Sequence, residues 1–182
     1  MSRMRSVLIV AALLVPAGAD AQWFVQPFAA VNTGGATTRD SAAFGVSGGW
    51  LGPWFGGEAE AAWSPRFFDN DGGFRPTARS STYTGTGLVG PRLGPARPYG
   101  AFGLGVLRSE LAEVGGLATL TDTRTAMHAG GGLMWDVGRL TLRGDARYIR
   151  ALDDQEPAGN VFAERFAEFD YWRIGGGVAF RW

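Results

Sequence analysis

The chain has 182 residues with 17 basic and 17 acidic side chains, so its formal net charge is zero, and it contains no cysteine. Balanced, dispersed charge gives a nucleic acid nothing to bind, and the missing cysteine excludes disulfides and thiolate chemistry. Glycine, at 29 of 182, is more than twice the usual share of about 7%, and without a triplet period or a polar low-complexity run it suggests neither collagen nor linker.

The first element is an export signal. Arg3 and Arg5 form a positive segment, Val7 to Val15 is uninterruptedly apolar, and Pro16-Ala-Gly-Ala-Asp-Ala21 ends in a small-x-small pattern, which together predict a cleaved secretory signal peptide over residues 1–21. The apolar run falls well short of the roughly 20 residues needed for a membrane-spanning helix, and there is no cysteine to acylate. Residues 22–182 then form one domain.

Eight alternating segments follow, over Trp23–Asn32, Ala43–Trp50, Trp54–Ser64, Thr82–Gly90, Tyr99–Ser109, Thr125–Val137, Leu140–Ala151 and Phe169–Trp182. Their period of two predicts strands, and glycines inside them relieve crowding where a small sheet curves tightly. The connections alternate. Long ones run from Thr33 to Ala42, Pro65 to Ser81, Glu110 to Arg124 and Leu152 to Glu168, and short ones contain Gly52-Pro53, Gly94 to Pro98 and Gly138-Arg139.

The last strand places Trp172, Ile174, Gly176, Val178, Phe180 and Trp182 on one face and Tyr171, Arg173, Gly175, Gly177, Ala179 and Arg181 on the other. One face suits lipid and the other water. The third strand opposes Glu58 and Glu60 to Phe55, Ala59, Ala61 and Trp63, the sixth opposes His128, Met134 and Asp136 to Met127, Leu133 and Trp135, and the seventh opposes Arg143, Asp145 and Arg147 to Leu140, Leu142 and Tyr148. The first and fourth strands leave their phase open.

Such a set predicts an all-β fold, an eight-stranded antiparallel up-and-down transmembrane β-barrel in an outer membrane, with long loops outside and both termini periplasmic. Aromatic residues should then gather at two interface heights. Trp23, Trp50, Trp54, Tyr99, Trp135 and Trp182 fall at the predicted periplasmic ends, and Trp63, Tyr83, Tyr148, Tyr171 and Trp172 at the outer ends. Glu58, Glu60, His128, Asp136, Arg143, Asp145, Arg147, Arg173 and Arg181 should point into the lumen, where opposite charges pair. Eight strands enclose a space that side chains can fill, so a solid polar plug is expected ahead of a narrow pore.

The signal segment, eight strands, alternating loops and the closing Tyr171-Trp-Arg-Ile-Gly-Gly-Gly-Val-Ala-Phe-Arg-Trp182 resemble the small outer-membrane barrel superfamily that includes OmpA transmembrane domains, OmpX/Ail and opacity-type surface proteins. The resemblance implies recognition by the barrel assembly machinery through Tyr171, Gly175, Val178, Phe180 and Trp182; Trp182 stands where the family usually has Phe. It also implies a monomer contacting outer-membrane lipids and lipopolysaccharide.

Other motifs carry less. Gly85-Thr-Gly87-Leu-Val-Gly90 fits a dinucleotide fingerprint but lies in a strand, precedes Pro91 and opens no helix. Asp69-Asn-Asp71-Gly-Gly is expected as a loop-tip turn ahead of a metal site, so no metal or cofactor is expected. The single histidine, His128, has no Ser two residues away and lies in lumen phase, so the deacylase pattern of some eight-stranded barrels is missing and no catalytic residue is assigned. The expected role is structural or surface recognition, and the Phe67, Phe68, Phe74, Phe162 and Phe166 of the outer loops suit equally the binding of a partner or lipopolysaccharide and an extension of the barrel wall or a cover over its mouth; a small porin-like or OmpW-type channel is the alternative, and a lipid A-modifying enzyme comes third.

Overall fold

A computed structural model describes residues 22–35, 41–65, 77–112, 119–152 and 170–182. The predicted signal peptide lies outside these residues, as do the Asp69–Gly73 turn and the phenylalanines of the second and fourth long loops. Eight strands run in chain order: β1 (Gln22–Thr33), β2 (Ser41–Leu51), β3 (Phe55–Ser64), β4 (Thr77–Val89), β5 (Ala96–Ala112), β6 (Thr119–Val137), β7 (Leu140–Leu152) and β8 (Asp170–Arg181). Each pairs antiparallel with the next, and β1 closes the barrel on β8, with Val25 opposite Phe180 and Val31 opposite Ile174. Closure leaves no sheet edge unpaired. In a bilayer, where no water can satisfy backbone N–H and C=O groups, only helices and closed barrels are admissible.

The β5–β6 hairpin is longer than its alternation suggested. It stays paired out to Ala112 opposite Thr119, so the third long connection shrinks from the expected Glu110–Arg124 to residues 113–118. Thr119, Thr121, Thr123 and Thr125 supply a run of β-branched residues that favours extended backbone. At the opposite end the turns are tight. Gly138, at φ 63°, provides the left-handed first position of the two-residue turn between β6 and β7, and Gly52 N–H donates to the Phe55 carbonyl at 2.8 Å across the β2–β3 turn.

The register settles the two open phases. β1 turns Phe24, Gln26, Phe28, Ala30 and Asn32 inward and Trp23, Val25 and Val31 outward, and β4 turns Ser80, Thr82, Thr84, Thr86 and Leu88 inward with Tyr83 and Val89 outward. Around the barrel the outward positions are apolar and exposed, among them Phe44, Val46, Phe102, Leu104, Leu142, Ile174 and Phe180. Exposed apolar side chains on every strand are unstable against water and favourable against lipid. The interior is layered. Leu107, Ala126, Ile149 and Tyr171 form an apolar cluster toward the long-loop end, Leu88, Tyr99, Ala101 and Met134 form another toward the short-turn end, and charged side chains lie between them.

Candidate functional site: a charged layer in the lumen

Three strands deliver the charge. β3 places Glu58 and Glu60 two residues apart, β7 places Arg143, Asp145 and Arg147 at the same spacing, and β8 adds Arg173, all on the inward face. Arg143 pairs with Glu58 and reaches Asp145 at 3.0 Å. Arg147 is the hub, donating to Glu58 at 2.8 Å, Glu60 at 3.1 Å and Asp145 at 3.1 Å. Arg173 donates to Glu60 at 2.8 Å and to Asn32 Oδ1 at 3.2 Å. Three guanidiniums thus face three carboxylates, and the layer is neutral. Each carboxylate accepts from at least two cations, the charge-assisted arrangement that holds ions away from water.

Neutral groups complete the shell. Tyr99 Oη accepts from Arg143 Nε at 2.6 Å and donates to Asp145 at 2.7 Å; Gln26 accepts from Arg143 Nη1 at 3.4 Å. Asn32 donates to Ser64 at 3.0 Å and Ser41 at 3.3 Å, and Tyr171 Oη accepts from Arg173 at 3.1 Å. The void beside this layer, bounded by Ser47, Glu60, Arg147 and Arg173, is about 10 Å³, near the lower limit for one water molecule. Ser47 Oγ and Thr84 Oγ1, which flank Glu60 in the strand register, are buried with no hydrogen-bond partner among the described residues.

Two tyrosines expected at the membrane interfaces belong to the lumen instead. Tyr99 is 7% exposed and Tyr171 1%. Tyr99 shares the inward parity of β5 with Ala101 and Gly103, and a Cβ at Gly132 on β6 would collide with its hydroxyl, while Phe102, Leu104 and Val106 occupy the outer face. A hydroxyl that can bridge a cation and an anion is better satisfied there than at a headgroup. Gln26, Asn32 and Thr86 were missed, since single amides and hydroxyls on strands of unknown phase carry no signal of their own.

The other expected lumen residues separate into two places. His128 is 2% exposed, its Nε2 3.1 Å from Thr86 Oγ1, and its ring lies so close to Gly103 that a Cβ there would collide with it. Asp136 and Arg181 lie outside the central layer, at the short-turn mouth, paired with each other at 3.0 Å. Arg92 joins Asp136 at 3.1 Å and Thr141 donates to its other oxygen at 2.8 Å. Among the described residues no three His, Cys, Asp or Glu side chains are grouped so as to hold a metal.

The remaining aromatics form two outward groups. Trp23, Trp54, Trp135 and Trp182 are exposed at the short-turn end, where Trp50 lies half-buried over Gly57; Trp63, Tyr83 and Trp172 are exposed at the other. Tyr148 packs against Trp172 with ring centroids 5.4 Å apart and donates to Asp170. On β8, Phe180 and Trp182 face outward, Val178 is half-buried on the same side, and Gly175 shares the inward side with Tyr171.

No protein-family model matches the chain, and no curated protein does. Solved structures do. Neisserial surface protein A aligns over 88% of this chain and 97% of its own with a TM-score of 0.67 at 13% identity. The N-terminal β-barrel domain of Pseudomonas aeruginosa OprF covers 88% and 97% with a TM-score of 0.56 at 12% identity. Ail of Yersinia pestis, in complex with the heparin analogue sucrose octasulfate, covers 88% and 98% with a TM-score of 0.50 at 13% identity. Closed by β1 and β8, apolar outside and charged within, the chain has the fold of the small eight-stranded outer-membrane barrels.

Proposed function

We propose that this protein is an outer-membrane barrel with a structural or surface-recognition role, inserted with both termini in the periplasm and with a lumen that conducts no solutes. The observation that carries the closed lumen is the neutral three-on-three charge layer, capped by an apolar cluster on either side and leaving a void of about 10 Å³. An open pore needs a continuous file of water, and what supports a closed lumen is that ion pairs cross it from β7 and β8 to β3, in a space that eight strands leave for side chains to fill. Recognition then falls to the long loops, because a closed barrel is a rigid scaffold and loops carry function.

The orientation rests on loop length, the short turns being the periplasmic kind. The outward aromatic and aliphatic surface fits lipid and lipopolysaccharide contacts, and outward Phe180 and Trp182 fit a strand read during barrel assembly. His128 is read as structural: its ring is confined between Gly103 and Thr86, away from any lipid-facing wall where an acyl substrate would lie.

Proteoliposome swelling in small-sugar solutions tests the closed lumen. Swelling no faster than in protein-free vesicles supports it, and size-dependent swelling overturns it in favour of a channel. Mass spectrometry of lipid A from expressing cells should show an unaltered profile; a lost or added acyl chain abolished by His128→Ala would establish an enzyme instead.

A further inference from the structure

Apart from the charged layer, the described residues enclose a cavity of about 690 Å³ at the short-turn mouth, between the β2–β3 turn, the β4–β5 turn and the ends of β1, β6 and β8. Its walls are held firmly. The Leu93 and Ala96 backbones exchange hydrogen bonds at 2.7 and 3.1 Å, Asp136 N–H donates to the Pro95 carbonyl at 2.7 Å, and Gly90 N–H donates to the Trp54 carbonyl at 2.9 Å. The volume lies within the range of small-molecule sites, about 300–1,000 Å³.

Three guanidiniums line this cavity, those of Arg92, Arg97 and Arg181, against the one carboxylate of Asp136. That carboxylate is already engaged by Arg92, Arg181 and Thr141. Arg97 has no carboxylate partner among the described residues; its Nη2 donates to the Gly52 and Pro53 carbonyls at 2.6 and 3.2 Å, which fixes the group at the wall and leaves its remaining N–H donors uncommitted. The lining side chains therefore carry two positive charges in excess. Beneath them Leu51 and Met134 form an apolar floor, continuous with the cluster of Leu88, Tyr99 and Ala101, and Trp54 stands exposed at the rim.

We infer that this mouth is a binding site for a phosphoryl group carried on an apolar body, seated between Arg92 and Arg97 with its apolar part on Leu51, Met134 and Trp54. Two excess positive charges match a phosphate monoester dianion, and a guanidinium fork offers the paired N–H donors that phosphate oxygens accept. The phosphate can come from a lipid headgroup at the rim of the barrel or from a free phosphate ester in the adjoining water.

The test is calorimetric titration of the folded barrel in maltoside micelles with dihexanoyl phosphatidic acid, inorganic phosphate and, as the neutral control, dihexanoyl phosphatidylcholine. Phosphatidic acid or inorganic phosphate should bind saturably, more weakly at high salt, and with at least about tenfold lower affinity in both Arg92→Gln and Arg97→Gln. Hexyl phosphate titrated alongside and bound as well as phosphatidic acid assigns the site to a free phosphate ester, preference for phosphatidic acid assigns it to a headgroup, and inorganic phosphate bound as strongly as either overturns the part given to Leu51, Met134 and Trp54. Because Arg97 also braces the β2–β3 turn, the heat-modifiable gel shift checks its folding, and Arg92→Gln, whose side chain is 49% exposed, stands in if Arg97→Gln fails to fold. No saturation with any of these phosphates, equal binding of phosphatidylcholine, or unchanged affinity in the folded variants overturns the site.

Discussion

Arg147 is the group whose loss the lumen should tolerate least. Replacing it with Met keeps a long apolar chain but removes donors to Glu58, Glu60 and Asp145 at 2.8 to 3.1 Å. Two cations, Arg143 and Arg173, would then face three buried carboxylates, and the layer would carry one uncompensated negative charge. Breaking a buried pair by deleting one partner costs about 3–5 kcal/mol. Glu58 keeps Arg143, Glu60 keeps Arg173, and Asp145 keeps Tyr99 and Arg143, so the lower end, about 3 kcal/mol, is expected. Adding Glu60→Gln restores neutrality with two cations and two anions, and the coupling should return about 1 kcal/mol or more. Equilibrium urea unfolding followed by tryptophan fluorescence measures both. A single variant within about 0.5 kcal/mol of wild type, or a double variant no better than the single, would refute the buried, mutually compensated layer.

Five further substitutions probe other parts. Val46, exposed in the middle of β2, should cost about 2–4 kcal/mol as Arg if it faces the bilayer midplane, when folding into phosphatidylcholine vesicles is compared with wild type; an unchanged folding free energy would contradict a lipid-facing wall there. Tyr99→Phe removes the hydroxyl between Arg143 and Asp145 and should cost about 1–3 kcal/mol, whereas Tyr83→Phe on the exposed face should cost almost nothing by the same unfolding curve. Gly45→Val drives a side chain into the Phe28 ring and the Ala61 carbonyl, with an expected loss of about 1–3 kcal/mol, while Gly85→Ala enters open space and should gain about 0.5–1 kcal/mol.

The strands legible in the sequence were those whose two faces differ in kind. β3 and β7 set carboxylates or guanidiniums against Trp63, Leu140 and Leu142, so parity alone assigned their charges inward. β1 hid its phase because apolar side chains occupy both faces: Phe24 and Phe28 fill the interior while Trp23 and Val25 meet the outside. In β4 the serines, threonines and glycines suit either environment. Tyr99 and Tyr171 were assigned to the interface by residue type, although the alternation of Phe102, Leu104 and Val106 already put Tyr99 on the opposite face. The mouth arginines Arg92 and Arg97 gave no warning, since their convergence depends on how two short turns fold over the barrel end and not on any spacing within a strand.

A lumen sealed by its own charges should pass no ions. Single-channel recording in planar bilayers reads this directly. A sealed lumen gives no discrete conductance from wild type at moderate voltage, with steps emerging only when the layer is opened, as in Arg147→Met/Glu58→Gln. Steady discrete steps from the wild-type protein that change size in that variant would show ions passing where the charged layer stands, and would contradict it.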